Sequence, residues 1–416
     1  MITPELVDAA ATPHAPLIGA AALMRCAFYR ADLRPIGELL LARAQANPDD
    51  ANAWLDASFV LQLLGQRAAG LDVQAHALAT RSLYVLPAPA RTPTLNLLVL
   101  MGPGDFMANT PIEFLLQTSD IAAHVQYVTL DLPLPEQVPD HDVLFVALAQ
   151  SDANVPLLRD VAQMLDGWPR PVVNRPEQIA HLSRDGAHAK LDGAAGVLMP
   201  RTVRVARATA AQLADGVLDV QALLPGAAFP LIVRPLDSHA GTDLQKVADA
   251  AALRDYLAAQ PSGEFYLAPF VDYSGPDGQF RKYRIVLIDG QPFICHLAIS
   301  SHWMVHYLNA GMDDSAAKRA EEAAGMAGFD AGFARRHAGA LADIDARIGL
   351  PYLGIDCAET RDGRLLIFEV DNAMVVHAMD DPGKYPYKGP AMEKVFRAFE
   401  AMLHRAAGAA PNAAPD

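Results

Sequence analysis

Hydrophobic positions recur with different periods along the chain, and the change of period divides it. From Arg34 to about Pro87, apolar residues fall at helical spacing, as in RPIGELLLARAQ and ANAWLDASFVLQLL, around a break at Asn47-Pro48-Asp49-Asp50. After Pro93, short apolar runs take over: LNLLVLM, VQYVTLDL (125–132), HDVLFVALA (141–149) and PVVNRP (171–176). Helical stretches such as PLLRDVAQML separate them, and this alternation predicts a parallel α/β sheet. From His181 onward, strands pair across short polar links. RKYRIVLIDGQPFICHLAISS predicts a hairpin turning at Asp289-Gly290, and LGIDCAETRDGRLLIFEVDNA predicts one turning at Asp362-Gly363. Helices are expected at AAALRDYLAAQ, across 313–348 and at AMEKVFRAFEAMLHR. The fold class is therefore α/β and α+β. Its expected parts are a helical region (1–90), a parallel α/β domain (91–178), an α+β domain (179–408) and a disordered tail (409–416).

The second hairpin carries the most chemistry. If Asp362-Gly363 is a two-residue loop, Arg361 faces Arg364 and Asp356 lies opposite Glu369. Period-two alternation puts Glu369 and Asp371 on one face, so three carboxylates converge, with Asn372 beside them. Like charges that close repel unless a cation lies between them. Mg²⁺ takes such oxygen ligands and is often shared with phosphates. For any one of these acids taken alone, a solvated strand face is the competing explanation.

Composition narrows the classes. The 416 residues carry a formal net charge of −15, which argues against a general nucleic-acid or anionic-membrane binder. No apolar run reaches the roughly 18–20 residues of a membrane span. The N-terminal stretch lacks a basic region and is broken by Pro13 and Pro16, so it does not read as a signal peptide. Cys26, Cys295 and Cys357 lie far apart without CxxC spacing, as expected of reduced core thiols in a cytoplasmic protein.

Two resemblances follow from these motifs. The helices around NPDDANAW resemble one to two tetratricopeptide units, which implies a peptide or protein partner; a plain helical cap is the alternative. From about residue 95 to 405 the order of motifs resembles the ATP-grasp superfamily, closest to RimK-like and D-alanine–D-alanine-ligase-like carboxylate–amine ligases. That resemblance implies an α/β domain followed by two α+β subdomains that clamp ATP. It puts Asp356, Glu369 and Asp371 at Mg²⁺ positions, and Arg234 and Arg284 on phosphate, with Arg284 over the γ-phosphate and the intermediate. Ser238, His239, Ala240 and Gly241 would form the phosphate lid. Pro269, Phe270 and Val271 would flank adenine, and Asp272 would reach ribose. His302, Asn309 and His377 are candidate substrate contacts. Two positions depart from the pattern. Asp185-Gly186 stands where Asp-Lys is usual, with Lys190 as the substitute, and Asp371 stands where Asn is usual.

The activity implied is ATP- and Mg²⁺-dependent, ADP-forming amide synthesis through an acylphosphate, from small-molecule or peptide carboxylate and amine substrates. A homodimer is compatible with it. A small-molecule kinase and a non-catalytic nucleotide-binding protein with a helical interaction module are the alternatives.

Overall fold

The computed structural model describes residues 2–87, 92–236, 238 and 241–408. They form two compact units: Met1–Ala180, Leu350–Tyr352 and Asp371–Asp416 in the first, His181–Gly349 and Leu353–Val370 in the second. The tail expected at 409–416 and the lid residues His239 and Ala240 lie outside the described residues.

The first unit begins with five helices: α1 (Pro4–Ala11), α2 (Ala20–Phe28), α3 (Arg34–Ala46), α4 (Ala51–Leu63) and α5 (Arg67–Thr80). Helix α4 packs against both α3 and α5 and is the most buried of the five. The Asn47–Asp50 break is a helix start. The Asp50 carboxylate accepts the Ala53 N–H at 3.1 Å as an N-cap. It also receives the Arg43 guanidinium at 2.8 and 3.0 Å, while Arg43 donates to the carbonyls of Ala9 and Ala15 at 2.7 and 2.9 Å. One buried ion pair thus ties α1, the following loop, α3 and α4 together.

A five-stranded sheet follows, in the order β1 (Leu83–Val85), β3 (Ile121–Tyr127), β2 (Leu95–Met101), β4 (Val143–Val146), β5 (Val172–Val173). Strands β2, β3, β4 and β5 run parallel, as expected of largely apolar runs; helix α6 (Ile112–Leu115) lies between β2 and β3 and α7 (Val155–Met164) between β4 and β5, while among the described residues no helix separates β3 from β4. Strand β1 corrects the expectation of helix up to Pro87: Leu83, Tyr84 and Val85 pair antiparallel with Gln126, Val125 and His124. Its partner lies some forty residues on, out of reach of local periodicity. Helix α8 (Pro176–Ile179) closes this stretch.

The second unit opens with α9 (Arg184–Leu191) and carries two sheets. The smaller sheet is ordered β7 (Val203–Ala206), β10 (Glu264–Pro269), β8 (Leu231–Pro235), β9 (Gln245–Val247) and is antiparallel throughout. Helices α10 (Arg207–Ala214), α11 (Val220–Leu223) and α12 (Ala250–Ala259) accompany it, and Leu213, Leu231, Val233, Leu253, Phe265 and Leu267 are part of its buried core. The larger sheet is ordered β12 (Gln291–Ser300), β11 (Phe280–Ile288), β13 (Tyr352–Glu359), β14 (Leu365–Asp371), β6 (Val197–Leu198). Helices α13 (Ala316–Ala327) and α14 (Ala338–Ile348) belong to this part. The chain returns to the first unit with α15 (Lys388–Ala406), whose Phe399 packs on Phe145 and Tyr352. An α/β part followed by two α+β parts is the organisation expected from the sequence.

The two Asp-Gly turns differ. At Asp289-Gly290 both residues have positive φ (48° and 74°) and Ile288 pairs with Gln291, a two-residue hairpin as expected. At Asp362-Gly363 the loop is one residue longer. Thr360 N–H donates to the Arg364 carbonyl at 3.0 Å, and Gly363, at φ 81°, donates to the Thr360 carbonyl at 2.9 Å. The closing pair is Thr360 and Arg364, so the register counted from Arg361 facing Arg364 is off by one.

Candidate active site

The functional side chains of the second unit gather where strands of its two sheets and the start of α9 present long cations. On β11, Lys282 and Arg284 are two residues apart and so share a face. Both reach Asp356 on β13. Arg284 Nε and Nη2 donate to the two carboxylate oxygens at 2.8 and 2.9 Å, and Lys282 Nζ lies 2.6 Å from Oδ2. The Asp356 side chain is 2 % exposed. Burial works against its charge, but Arg284 and Lys282 outweigh it and hold the carboxyl well below the usual carboxylate range. Arg284 responds in kind: burial opposes its charge, Asp356 supports it, and its pKa is raised.

A second pair lies beside the first. Arg184, the first residue of α9, donates through Nη2 to Glu369 Oε1 at 2.7 Å and through Nη1 to the Phe368 carbonyl at 3.0 Å. Burial is the largest influence on Glu369 and pushes its pKa up, as does the charge of Asp356, but Arg184, Arg234 and Lys282 together outweigh them and leave it lowered. Arg234 on β8 is buried, and burial together with the nearby Arg184 brings its pKa down to about 10. Its Nε donates to Ser238 Oγ at 3.0 Å and its Nη2 to the Ser238 carbonyl, so this arginine holds the start of the loop after β8. Four cations, Arg184, Arg234, Lys282 and Arg284, therefore surround two carboxylates, Asp356 and Glu369.

Counting along the hairpin led to a three-carboxylate patch, and the structure corrects that. Among the described residues no group of three or more His, Cys, Asp or Glu side chains is placed to hold a metal. Cations already occupy both Asp356 and Glu369. The Asp371 carboxylate accepts the Ala373 N–H at 2.9 Å. Asn372 is fully buried, donating to the Leu148 carbonyl at 2.9 Å, a structural role. Asp356 and Glu369 remain ionised, hard oxygen donors, and their chemistry fits a hard divalent cation.

Next to the charged cluster is an aromatic surface. Phe270, just after β10, meets Trp303 edge-on at 5.7 Å between ring centroids, and Lys246 on β9 lies 4.2 Å above the Phe270 ring. Tyr273 donates to the Trp303 carbonyl at 2.5 Å and packs on Phe368. Pro269 and Val271 flank Phe270 and are partly buried. Asp272 pairs with Arg361 at 3.0 Å and accepts the Ser274 N–H at 3.0 Å. Gly241 has positive φ (77°), and a Cβ there would come within 3.0 Å of the Met304 sulfur.

Other expected residues fall elsewhere. Lys190 is exposed in the last turn of α9. The i, i+4 pair His302 and His306 is not on a helix; His302 Nδ1 accepts the Met304 N–H at 3.3 Å. Asn309 Oδ1 accepts the His306 N–H at 2.9 Å and closes a short 3₁₀ turn. His377, in the first unit, packs on Phe28 and Phe114.

Arg184, Lys246 and Lys282 were not singled out from the sequence. Period-two counting from Arg284 would have found Lys282. An arginine at the first position of a helix opposes the helix dipole, which was the available signal for Arg184.

No family model and no curated protein matches the sequence. Among solved structures the chain is similar to a D-alanine–D-alanine ligase from Bacillus anthracis complexed with ATP, at 13 % identity and a TM-score of 0.45, covering 76 % of this chain and 99 % of that one. It is similar to the VanG D-Ala:D-Ser ligase of Enterococcus faecalis, at 14 % identity and TM-score 0.47, with 76 % and 99 % covered. It is also similar to a RimK-domain ATP-grasp protein from Sphaerobacter thermophilus, at 13 % identity and TM-score 0.41, with 74 % and 99 % covered. The functional reading below stands on this chain's own residues.

Proposed function

We propose that the chain is an ATP-grasp, ADP-forming carboxylate–amine ligase of the RimK-like type, and that the second unit binds ATP with Mg²⁺. The observation that carries this reading is the surplus of cations: Arg184, Arg234, Lys282 and Arg284 against Asp356 and Glu369. Fixed, partly desolvated guanidinium and ammonium groups of this kind suit a triphosphate, and arginine forks suit its oxygens. The aromatic surface of Phe270 and Trp303 with Lys246 suits a purine base beside them. Ser238 and Gly241 would cover the phosphates, and Asp272 would meet ribose.

Asp356 and Glu369 would hold Mg²⁺, which supplies charge neutralisation and orientation of the phosphate oxygens. Arg284 and Lys282 stabilise the charge that develops on the transferring phosphoryl group, and Arg234 orders the loop that excludes water. A substrate carboxylate attacks the γ-phosphorus and ADP leaves. An amine then displaces phosphate from the acylphosphate. The tetratricopeptide-like helices would dock a peptide or protein partner, and Cys26, Cys295 and Cys357, buried and outside any disulfide, are compatible with the cytoplasm.

The test is ADP release and hydroxamate formation when the protein, ATP and Mg²⁺ are presented with carboxylate libraries and hydroxylamine. Hydroxamate appearing with ADP supports the ligase. Phosphate transfer to a hydroxyl without hydroxamate would make the protein a kinase. A melting temperature unmoved by millimolar ATP·Mg would sink nucleotide binding altogether, since a ligand that binds only the folded state must raise it.

A further inference from the structure

We infer that Arg184 and Lys282 are exchangeable occupants of the metal-binding carboxylates: they neutralise Glu369 and Asp356 while the site is empty, and a triphosphate draws them off so that a divalent cation can take their place. The inference deepens the nucleotide reading above and rests on it.

Three observations carry it. First, Asp356 already receives two hydrogen bonds from Arg284, so Lys282 at 2.6 Å is a second positive charge on one carboxylate. One cation neutralises the acid, and the other is surplus. Second, Arg184 occupies the first position of α9, where the positive end of the helix dipole disfavours it, and its ion pair with Glu369 offsets that cost. A phosphate would serve Arg184 equally well and would also favour the helix end. Third, no cation can approach from position 186. A Cβ on Gly186 would lie 2.7 Å from the His181 carbonyl oxygen and 2.8 Å from Ser183 Oγ, the cap of α9. The start of this helix has room for its positive side chain at Arg184 and not two residues later.

A divalent cation approaching the empty site meets carboxylates that are already paired. Metal and triphosphate therefore favour each other's binding, and by linkage the favour is equal in both directions.

The experiment titrates the full chain with Mn²⁺ alone, followed by electron paramagnetic resonance, and with metal-free AMP-PNP alone, followed by calorimetry. For R184Q, Mn²⁺ alone should bind about fivefold more tightly and AMP-PNP alone about fivefold more weakly, the size of one partly exposed ion pair. K282Q should move both in the same directions, and R184K should stay within about twofold of wild type on both. Opposite shifts for the two ligands cannot come from a loss of structure, which would weaken both. Weakening of both ligands, or unchanged Mn²⁺ affinity in R184Q and K282Q, overturns the exchange. Should wild type bind no AMP-PNP with or without Mn²⁺, the nucleotide reading falls by that result, and the Mn²⁺ titration then decides the exchange by itself.

Discussion

Two aspartate–arginine pairs among the described residues, each with a buried carboxylate, look alike in geometry and differ in their surroundings. Arg43 and Asp50 meet through two hydrogen bonds, and so do Arg284 and Asp356. The first pair is closed. The remaining Arg43 donors reach backbone carbonyls, and Asp50 also accepts the N–H groups of His14 and Ala53. Every partner is a piece of chain that the pair fastens. The second pair is crowded by another cation, Lys282, and by the neighbouring Arg184–Glu369 pair. A charge that is fully used by backbone builds a fold. A charge with too many partners of opposite sign awaits a ligand.

The comparison is sharpened most by removing the arginines. R43M leaves Asp50 buried with no full charge opposite it, and should cost about 3–5 kcal/mol in urea denaturation, as expected for breaking a buried pair. A loss under about 1 kcal/mol would mean that the pair is not a fastener.

Next in size is pH. Asp56 is fully buried in the first unit, where it accepts the Ile18 and Gly19 N–H groups, and burial pushes its pKa up to about 7. Its neighbour Glu113 accepts the Ala20 and Ala21 N–H groups and is raised as well. A carboxyl whose folded pKa is raised binds its proton more tightly when folded. Stability should therefore fall as pH rises from about 4 to about 7, at up to about 1.4 kcal/mol per unit, and D56N should flatten that fall. Asp356 has the opposite sign: its lowered pKa gives stability above about pH 4 that is lost as pH drops toward the folded value. A slope between pH 4 and 7 that D56N leaves intact would break this part of the contrast.

Smaller again is R284M. Lys282 stays on Asp356, so the stability loss should be about 1–2 kcal/mol, less than for R43M, while AMP-PNP·Mg affinity should fall about tenfold. An R284M protein that loses as much stability as R43M and keeps its nucleotide affinity would put both pairs in the same class.

The smallest effect separates the two Asp-Gly turns. Both glycines have positive φ, so alanine is strained at either, by about 1 kcal/mol. At Gly363 a Cβ meets open space, whereas at Gly290 it would sit 3.0 Å from an Asp345 carboxylate oxygen. G290A should therefore melt lower than G363A; equal melting temperatures would count against the difference in their surroundings.

These turns also measure how much was readable from the chain. The parallel run of β2, β3, β4 and β5 was legible because its strands are largely apolar segments, with α6 and α7 between two of the three successive pairs. The Asp289-Gly290 hairpin was legible because its dipeptide and its loop length agree. The identical dipeptide at Asp362-Gly363 misled by one residue, because Thr360 bonds Arg364 through both its N–H and its hydroxyl and lengthens the loop. The three-acid patch fails for a separate reason: cations sit on Asp356 and Glu369, and the Asp371 carboxylate accepts the Ala373 N–H. Asp356, Glu369, Arg234 and Arg284 were legible as a motif. Arg184 was not, because its partner Glu369 is 185 residues away. Lys190 drew attention by its distance from Gly186 in sequence, but in space it is an exposed residue at the other end of α9.

Gly186 also limits which substitutions this helix start can accept. Its missing side chain is filled by the His181 carbonyl and the Ser183 cap. A larger residue cannot enter there by one replacement, because the helix start would have to be rebuilt at the same time. Variation around the cluster is thereby channelled to Arg184 and its partners and away from position 186.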